Sequence, residues 1–340
     1  MGFHRRLAPT GFHRGAGAFG AAACVMSAAA AALGTLPASA APHDETRAEV
    51  DRLYSQAEKA TEAYNKADER GDALREQIGT AQDEIARQQE RVNTMRDALG
   101  SLAGAQYRSG GLDPSLALLF SADPDGYLDQ ASALDRIGTR QAGELKGLRL
   151  ALRDLAQKRR EADGKLAELE RSRTAVARNK RVIEGKLAKA RHLLNSLPYA
   201  DRAAYDRASR ASRGDLPGLD GSVASSARAA VAVAAARSAL GRPYVWGANG
   251  PGGFDCSGLM QWSYEHAGVG LPRTSQAQRF AGRQIPLSQA RPGDLVTYRS
   301  DASHVGMYVG NGQVIHAPYP GAPVRYDPVG MMPISSVTRV

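Results

Sequence analysis

Two long stretches of the chain carry apolar residues at alternating steps of three and four. The first runs from Val50 through Leu53, Ala57, Ala60 and Tyr64 to Leu99 and Leu102, broken only at Gly71 and Gln88. The second runs from Leu145 through Leu148, Leu152 and Leu155 to Leu187 and Leu194, with Arg159, Arg173 and Lys180 falling on its seam. A 3.5-residue period kept this long specifies a coiled coil rather than a globular helix. Turn-forming residues separate the two runs at 109–114 and 121–126, so the pattern predicts an antiparallel helical hairpin over residues 44–197, with helices of about sixty residues. The apolar segment 116–120 near its tip reads as a short capping helix or an exposed contact. An alanine-rich seam facing a charged one predicts a weak, adjustable association. A spacer and a regulator of the C-terminal domain fit this equally well.

Residues 198–222 hold Pro198, Pro217 and a Gly-Asp-Leu-Pro-Gly run, and read as a flexible linker. From 223 onward ten arginines, no lysine and five acidic residues remain, among many glycines and β-branched residues. About 118 residues suffice for an independent core. Ala227–Leu240 reads as an alanine-rich helix ended by Gly241. A second helix is predicted from Cys256 to Ala267, capped by Asp255 and closed by Gly268. Residues 293–298, 303–309, 313–317 and 324–326 read as strands. Helices first and antiparallel strands after give an α+β domain, residues 223–340, behind an all-α hairpin.

The N-terminus changes the compartment. Arg5, Arg6 and Arg14 precede an Ala-rich apolar stretch, and Ala38-Ser39-Ala40 has the form of a cleavage site, so residues 1–40 read as a signal peptide. Removing those three arginines lowers the net charge from +9 to +6. It also removes Cys24, leaving Cys256 alone. An unpaired cysteine in an oxidising compartment points to a reactive thiol. The positive charge suits an anionic surface such as a bacterial wall; no nucleic-acid motif accompanies it.

Cys256 is therefore the candidate nucleophile. In the first turn of its helix, unpaired N–H groups and the positive end of the dipole favour the thiolate. His304 and His316 are the candidate base and its partner. Their strands meet at Gly310-Asn311-Gly312. A two-residue turn sets 316 opposite 307 and puts the two histidines on opposite faces. A three-residue loop pairs 309 with 313, sets 316 opposite 306 and puts both on one face. A shared site requires the second geometry. His266 reads as a partner for the helix C-terminus.

Tyr244-Val245-Trp246-Gly247, Asp255-Cys256-Ser257-Gly258, Ser303-His304-Val305-Gly306 and Val314-Ile315-His316-Ala317 resemble, in order and spacing, the NlpC family of bacterial cell-wall cysteine peptidases. The resemblance covers residues 227–340, and the secreted hairpin upstream is similar to that of members with a coiled coil before the catalytic domain. It implies a papain-like core, no cofactor, and cleavage of the γ-D-glutamyl–diamino-acid bond of peptidoglycan stem peptides. It also implies that the Tyr244 hydroxyl joins the Cys256 backbone N–H in stabilising the oxyanion. Asp255, Ser257, Arg273 and Ser275 become candidates for holding the peptide's amine and carboxylate groups. A membrane or divisome-type protein partner for the hairpin is a further expectation. Two other readings stand beside this one. Cys256, His304 and His316 are also a zinc ligand set with an open position, although no acidic base of the H-E-x-x-H kind accompanies it. A non-catalytic wall-binding scaffold is the other, although such a protein is expected to lose one of the three residues.

Overall fold

A computed structural model describes residues 42–108, 116, 124–203 and 223–340. The signal-peptide assignment, most of the 116–120 segment and the linker beyond 203 lie outside the described residues. Helices α1 (Pro42–Arg108) and α2 (Pro124–Ser196) pack against each other and are longer than the seams alone predicted, at 67 and 73 residues. At 1.5 Å per residue they reach about 100–110 Å. Residues 124–126, which the sequence pattern placed in the turn, are helical. Pro124 opens α2, because the first helical position has no N–H bond for proline to break.

Both breaks in the first seam are polar contacts between the helices. Gln88 Nε2 donates to the Ala151 carbonyl at 3.4 Å, and beside Gly71 the Ser172 hydroxyl donates to the Ala67 carbonyl. One apolar cluster lies between these points, Leu74 and Ile78 with Leu169, and another beyond Gln88, Val92 with Ala151 and Leu155. Arg159, Arg173 and Lys180, which the heptad put on the seam, are exposed, and Ser172 is buried beside Arg173, whereas the seam residue Ile183 is buried as expected. A straight helix of 3.6 residues per turn drifts away from a 3.5-residue stripe. The linker also starts later than predicted. Residues 199–203 are helical, and Arg47 pairs with Asp201 at 3.0 Å.

The C-terminal domain is an antiparallel sheet with helices on it. Its helices are α3 (Ala227–Ser238), α4 (Cys256–Glu265) and the short α5 (Ser275–Gln278). The strands are β1 (Arg283–Ile285), β2 (Leu295–Tyr298), β3 (His304–Gly310), β4 (Gln313–His316), β5 (Arg325–Pro328) and β6 (Ile334–Arg339), in the order β1-β6-β2-β3-β4-β5. Leu295, Val305, Met307, Val309 and Ile315 pack with Ala232, Ala236, Leu259, Met260 and Tyr264 of α3 and α4. Val296, Tyr298, Val314 and Val337, at the alternate positions, form a second cluster. Strands β1 and β6 were missed because neither alternates clearly. β1 buries only Ile285, and β6 carries Ser335 and Ser336, the latter bonded to Thr297.

The register of β3 and β4 is the one a shared site needs. Met307 pairs with Ile315, which sets Gly306 opposite His316. The turn itself differs from the three-residue loop. Gly310 pairs with Gln313 around Asn311-Gly312, both at positive φ, and an irregularity between Tyr308 and Gly310 restores the register.

The segment before α4 folds tightly over its first turn. A Cβ at Gly258 would lie 2.2 Å from the Ala248 carbonyl oxygen and 2.9 Å from Asn249 Cα, whereas one at Gly252 would meet nothing within 4 Å. Gly258→Ala is expected to cost about 2–3 kcal/mol by forcing backbone apart, and Gly252→Ala almost nothing. Thermal unfolding of the two variants checks this; equal melting temperatures would contradict the packing described.

Candidate active site

Asp255 builds the start of α4. Its Oδ1 accepts the Gly258 N–H at 2.7 Å, and its Oδ2 accepts the Gly247 N–H at 3.0 Å. Arg273 closes a bidentate pair with it, at 3.0 Å to Oδ1 and 2.6 Å to Oδ2. Cys256 is then the first helical residue, buried beneath the hairpin. His266 caps the other end of α4, its Nδ1 2.8 Å from the Trp262 carbonyl.

The sheet lines up the other groups. His304, His316 and Asp327 lie diagonally across β3, β4 and β5, each two residues off the directly paired position. His304 Nε2 lies 2.7 Å from His316 Nδ1, and His316 Nε2 lies 2.8 Å from Asp327 Oδ2. Arg325 Nε donates to the same oxygen at 2.8 Å. Burial lowers the pKa of His304 well below the ordinary histidine range, and His316 and Arg299 push the same way. Burial also lowers His316, against the pull of Asp327. Burial pushes Asp327 up, but its bonds from His316 and Arg325 hold it below the usual carboxylate range. Sequence reasoning missed Asp327, because the strand was ended at 326 and the long connection before it hides the register.

The hairpin fills the space in front of these groups. Glu58, Thr61, Glu62 and Asn65 occupy one face of α1 and are all buried. Ser257 Oγ donates to Glu62 Oε1 at 2.7 Å, the Ser275 N–H donates to Oε2 at 2.7 Å, and the Cys256 thiol points at Oε1 from 3.7 Å. Asn65 Nδ2 donates to Asp255 Oδ2 at 3.0 Å. Arg299 donates to Glu58 Oε2 at 2.6 Å, and Glu58 Oε1 stands 3.6 Å from His304 Nδ1. Outside this patch Tyr54 stacks on Tyr319, Tyr64 meets Trp246 edge-on, and Lys59 pairs with Asp301 at 3.1 Å.

This environment reverses the expected state of the thiol. Burial, then the charges of Glu62, Asp255 and Glu58, raise Cys256 well above the ordinary thiol range, and the bond from the Val305 N–H only partly opposes them. Glu58 is raised to about 7, chiefly by burial and against Arg299. Glu62 is raised to about 7 by burial and then by Asp255. The helix terminus is expected to favour a thiolate, but burial and the carboxylates weigh the other way.

The remaining predicted residues gather around Glu62. Ser257 and Ser275 hold its carboxylate, Arg273 bridges Asp255 and Ser257, and the Ser275 hydroxyl donates to the Ala302 carbonyl at 2.6 Å. Tyr244 is buried in the same core cluster as Cys256, and burial, then Cys256 and its acidic neighbours, raises its pKa well above the phenol range. Glu58, Glu62 and Asn65 were not singled out from the sequence. Their spacing is that of an ordinary solvated helix face. Among the described residues no three His, Cys, Asp or Glu side chains converge to hold a metal ion.

Residues 241–337 match the NlpC/P60 family. A probable endopeptidase of Mycobacterium tuberculosis is 47% identical over 121 residues, which are 34% of this chain and 31% of that protein. The probable endopeptidase p60 of Listeria monocytogenes is 53% identical over 97 residues, 28% of this chain and 20% of that one. The solved P60 domain of a Mycobacterium avium subspecies paratuberculosis antigen is 38% identical, with a TM-score of 0.31, covering 33% of this chain and 93% of that one. The chain thus spans about a third of the mycobacterial relative's length. The similarity falls on the sheet and helices that carry Cys256, His304 and His316, and the C-terminal domain of this chain belongs to the NlpC/P60 family.

Proposed function

We propose that the chain is a secreted cysteine endopeptidase of the bacterial wall that cleaves the γ-D-glutamyl–diamino-acid bond of peptidoglycan stem peptides, and that its hairpin holds it latent. The family and the names of the relatives support the peptidase reading, and the resemblance supports the bond. Export rests on the motif at residues 38–40. The observation that carries latency is the Glu62 carboxylate, held by Ser257 and Ser275 directly in front of Cys256.

With α1 withdrawn, water and peptide reach the site and the acidic neighbours of the thiol are reduced to Asp255, which Arg273 neutralises. His304 takes the thiol proton, and the thiolate attacks the carbonyl carbon of the scissile amide. The Cys256 N–H and the Tyr244 hydroxyl receive the negative oxygen. The amine leaves with the proton from His304, forming a thioester, and water activated by the same imidazole hydrolyses it. Ser257, Ser275 and the Asp255–Arg273 pair are left to hold the peptide's charged ends, the place Glu62 occupies in the latent form. A membrane or divisome-type protein that binds the hairpin fits as the agent that withdraws it.

Glu62→Ala removes the plug and is expected to raise muropeptide release by the full chain at least tenfold. Glu62→Gln keeps one acceptor for the Ser275 N–H and one donor for Ser257, and should stay latent. Cys256→Ser in the Glu62→Ala background should abolish release. Mass spectrometry of the muropeptides reads all three. Equal release by the wild-type and Glu62→Ala chains would leave the hairpin a spacer.

Latency should also weaken as pH rises. Glu62 faces Asp255, Cys256 and Arg273; Glu58 faces Arg299, Asp301, His304 and Cys256. Both carboxyls are raised to about 7 when docked, against an ordinary 4.5. Their protonation therefore favours docking fully below about 4.5, and that contribution is lost as pH climbs through 7. The turnover of the wild-type chain divided by that of Glu58→Ala/Glu62→Ala should rise toward one between pH 5.5 and 8. A constant or falling ratio would contradict this.

A further inference from the structure

We infer that Asp327 is a positioning residue, which acts through His316 to keep the base nitrogen of His304 free of its proton. The inference rests on the peptidase reading of Cys256 and His304. It follows from the order of donors and acceptors across three strands. Arg325 Nε always carries a hydrogen and gives it to Asp327 Oδ2. That oxygen is thus an acceptor, and His316 Nε2, 2.8 Å from it, must be the donor. A neutral His316 with its proton on Nε2 has a lone pair on Nδ1. His304 Nε2, 2.7 Å away, then donates to that lone pair. The proton of neutral His304 is thereby fixed on Nε2, and Nδ1 is left as the base. Among the described residues His304 Nδ1 has no hydrogen-bond partner, Glu58 Oε1 of the docked hairpin standing 3.6 Å away, and is free for a proton from elsewhere once α1 withdraws.

The plainer reading is that Asp327 and Arg325 form a half-buried ion pair that only ties β5 to the domain. The two readings separate because a histidine, unlike a carboxylate, is an ambiguous third member. It can donate or accept at Nδ1, and its other nitrogen decides which. In this chain that decision falls to Asp327, one strand further out. An amide in its place can offer its NH₂ to His316 Nε2. His316 then carries its proton on Nδ1 and donates to His304 Nε2, and the His304 proton moves to Nδ1, where it blocks the base. An alanine leaves the choice open, and the productive tautomer remains populated.

Asp327→Asn should therefore be worse than Asp327→Ala, the reverse of the order expected for a lost ion pair. In the full chain carrying Glu62→Ala, we expect kcat for muropeptide cleavage to fall roughly 10³-fold for Asp327→Asn with KM little changed, by analogy with wrong-tautomer losses at catalytic triads. For Asp327→Ala we expect about tenfold. Asp327→Glu, which keeps an acceptor, should recover most of the rate. The second readout needs no turnover: ¹⁵N NMR of histidine-labelled full chain reports the tautomers directly. It should show His304 protonated at Nε2 in the wild-type chain and at Nδ1 in Asp327→Asn. Unchanged tautomers in Asp327→Asn, or a larger kcat loss in Asp327→Ala than in Asp327→Asn, would overturn the assignment. Tautomers that shift as expected in a chain with no hydrolytic activity in any form would keep the relay and overturn the peptidase reading instead.

Discussion

A carboxylate buried 3.7 Å from Cys256 Sγ and a thiolate at that sulfur exclude each other. Two negative charges at that separation, out of water, repel strongly enough that one must stay protonated. In the proposed latent form the thiol keeps its proton while Glu62 is docked, the imidazole of His304 stays neutral, and the ion pair that thiol catalysis requires does not form. The proposed block is electrostatic as well as steric. It is delivered by a single helical face, because Glu58, Thr61, Glu62 and Asn65 recur at the three- and four-residue steps that bring side chains onto one side of α1.

The same face shows why docking is specific. Asn65 reads Asp255, the residue that caps α4 and pairs with Arg273; Glu62 reads Ser257 and Ser275; and Glu58 reads Arg299. Each is a polar group of the site satisfied by a polar group of the hairpin, so docking leaves few unpaired groups behind. The stacked Tyr54–Tyr319 pair and the Tyr64–Trp246 contact add aromatic burial on either side. These bonds compete with water and with ligands of similar chemistry. An interface built mostly of replaceable polar contacts can be undone without unfolding either part.

The parts of the fold written in periodicity were legible: the two long helices, the capped Cys256 helix and the central strands. Asp255 before Cys256 and the glycine-rich turn after β3 carry local chemistry that fixes where the thiol and the histidines go. What sequence could not show was pairing at a distance. Asp327 lies beyond a connection whose length sets no register, and β6 returns to the sheet beside β2, far from its neighbours in the chain. Glu58, Glu62 and Asn65 have a visible spacing, but a polar stripe on a long helix is usually solvated. Only the docked domain turns it into a buried one. Arg173 and Lys180 show the opposite failure, where a strict heptad reads as buried what the drift of a straight helix exposes.

In the proposed latent form α1 keeps the Cys256 thiol covered and protonated. The rate of iodoacetamide alkylation at Cys256 in the full chain, read by peptide mass at neutral pH, tests it most directly. Alkylation is expected to be far slower than that of a free cysteine, and to rise on the order of 100-fold or more when Glu62 is replaced by alanine. A wild-type Cys256 alkylated as fast as a free thiol, with no change in Glu62→Ala, would contradict it.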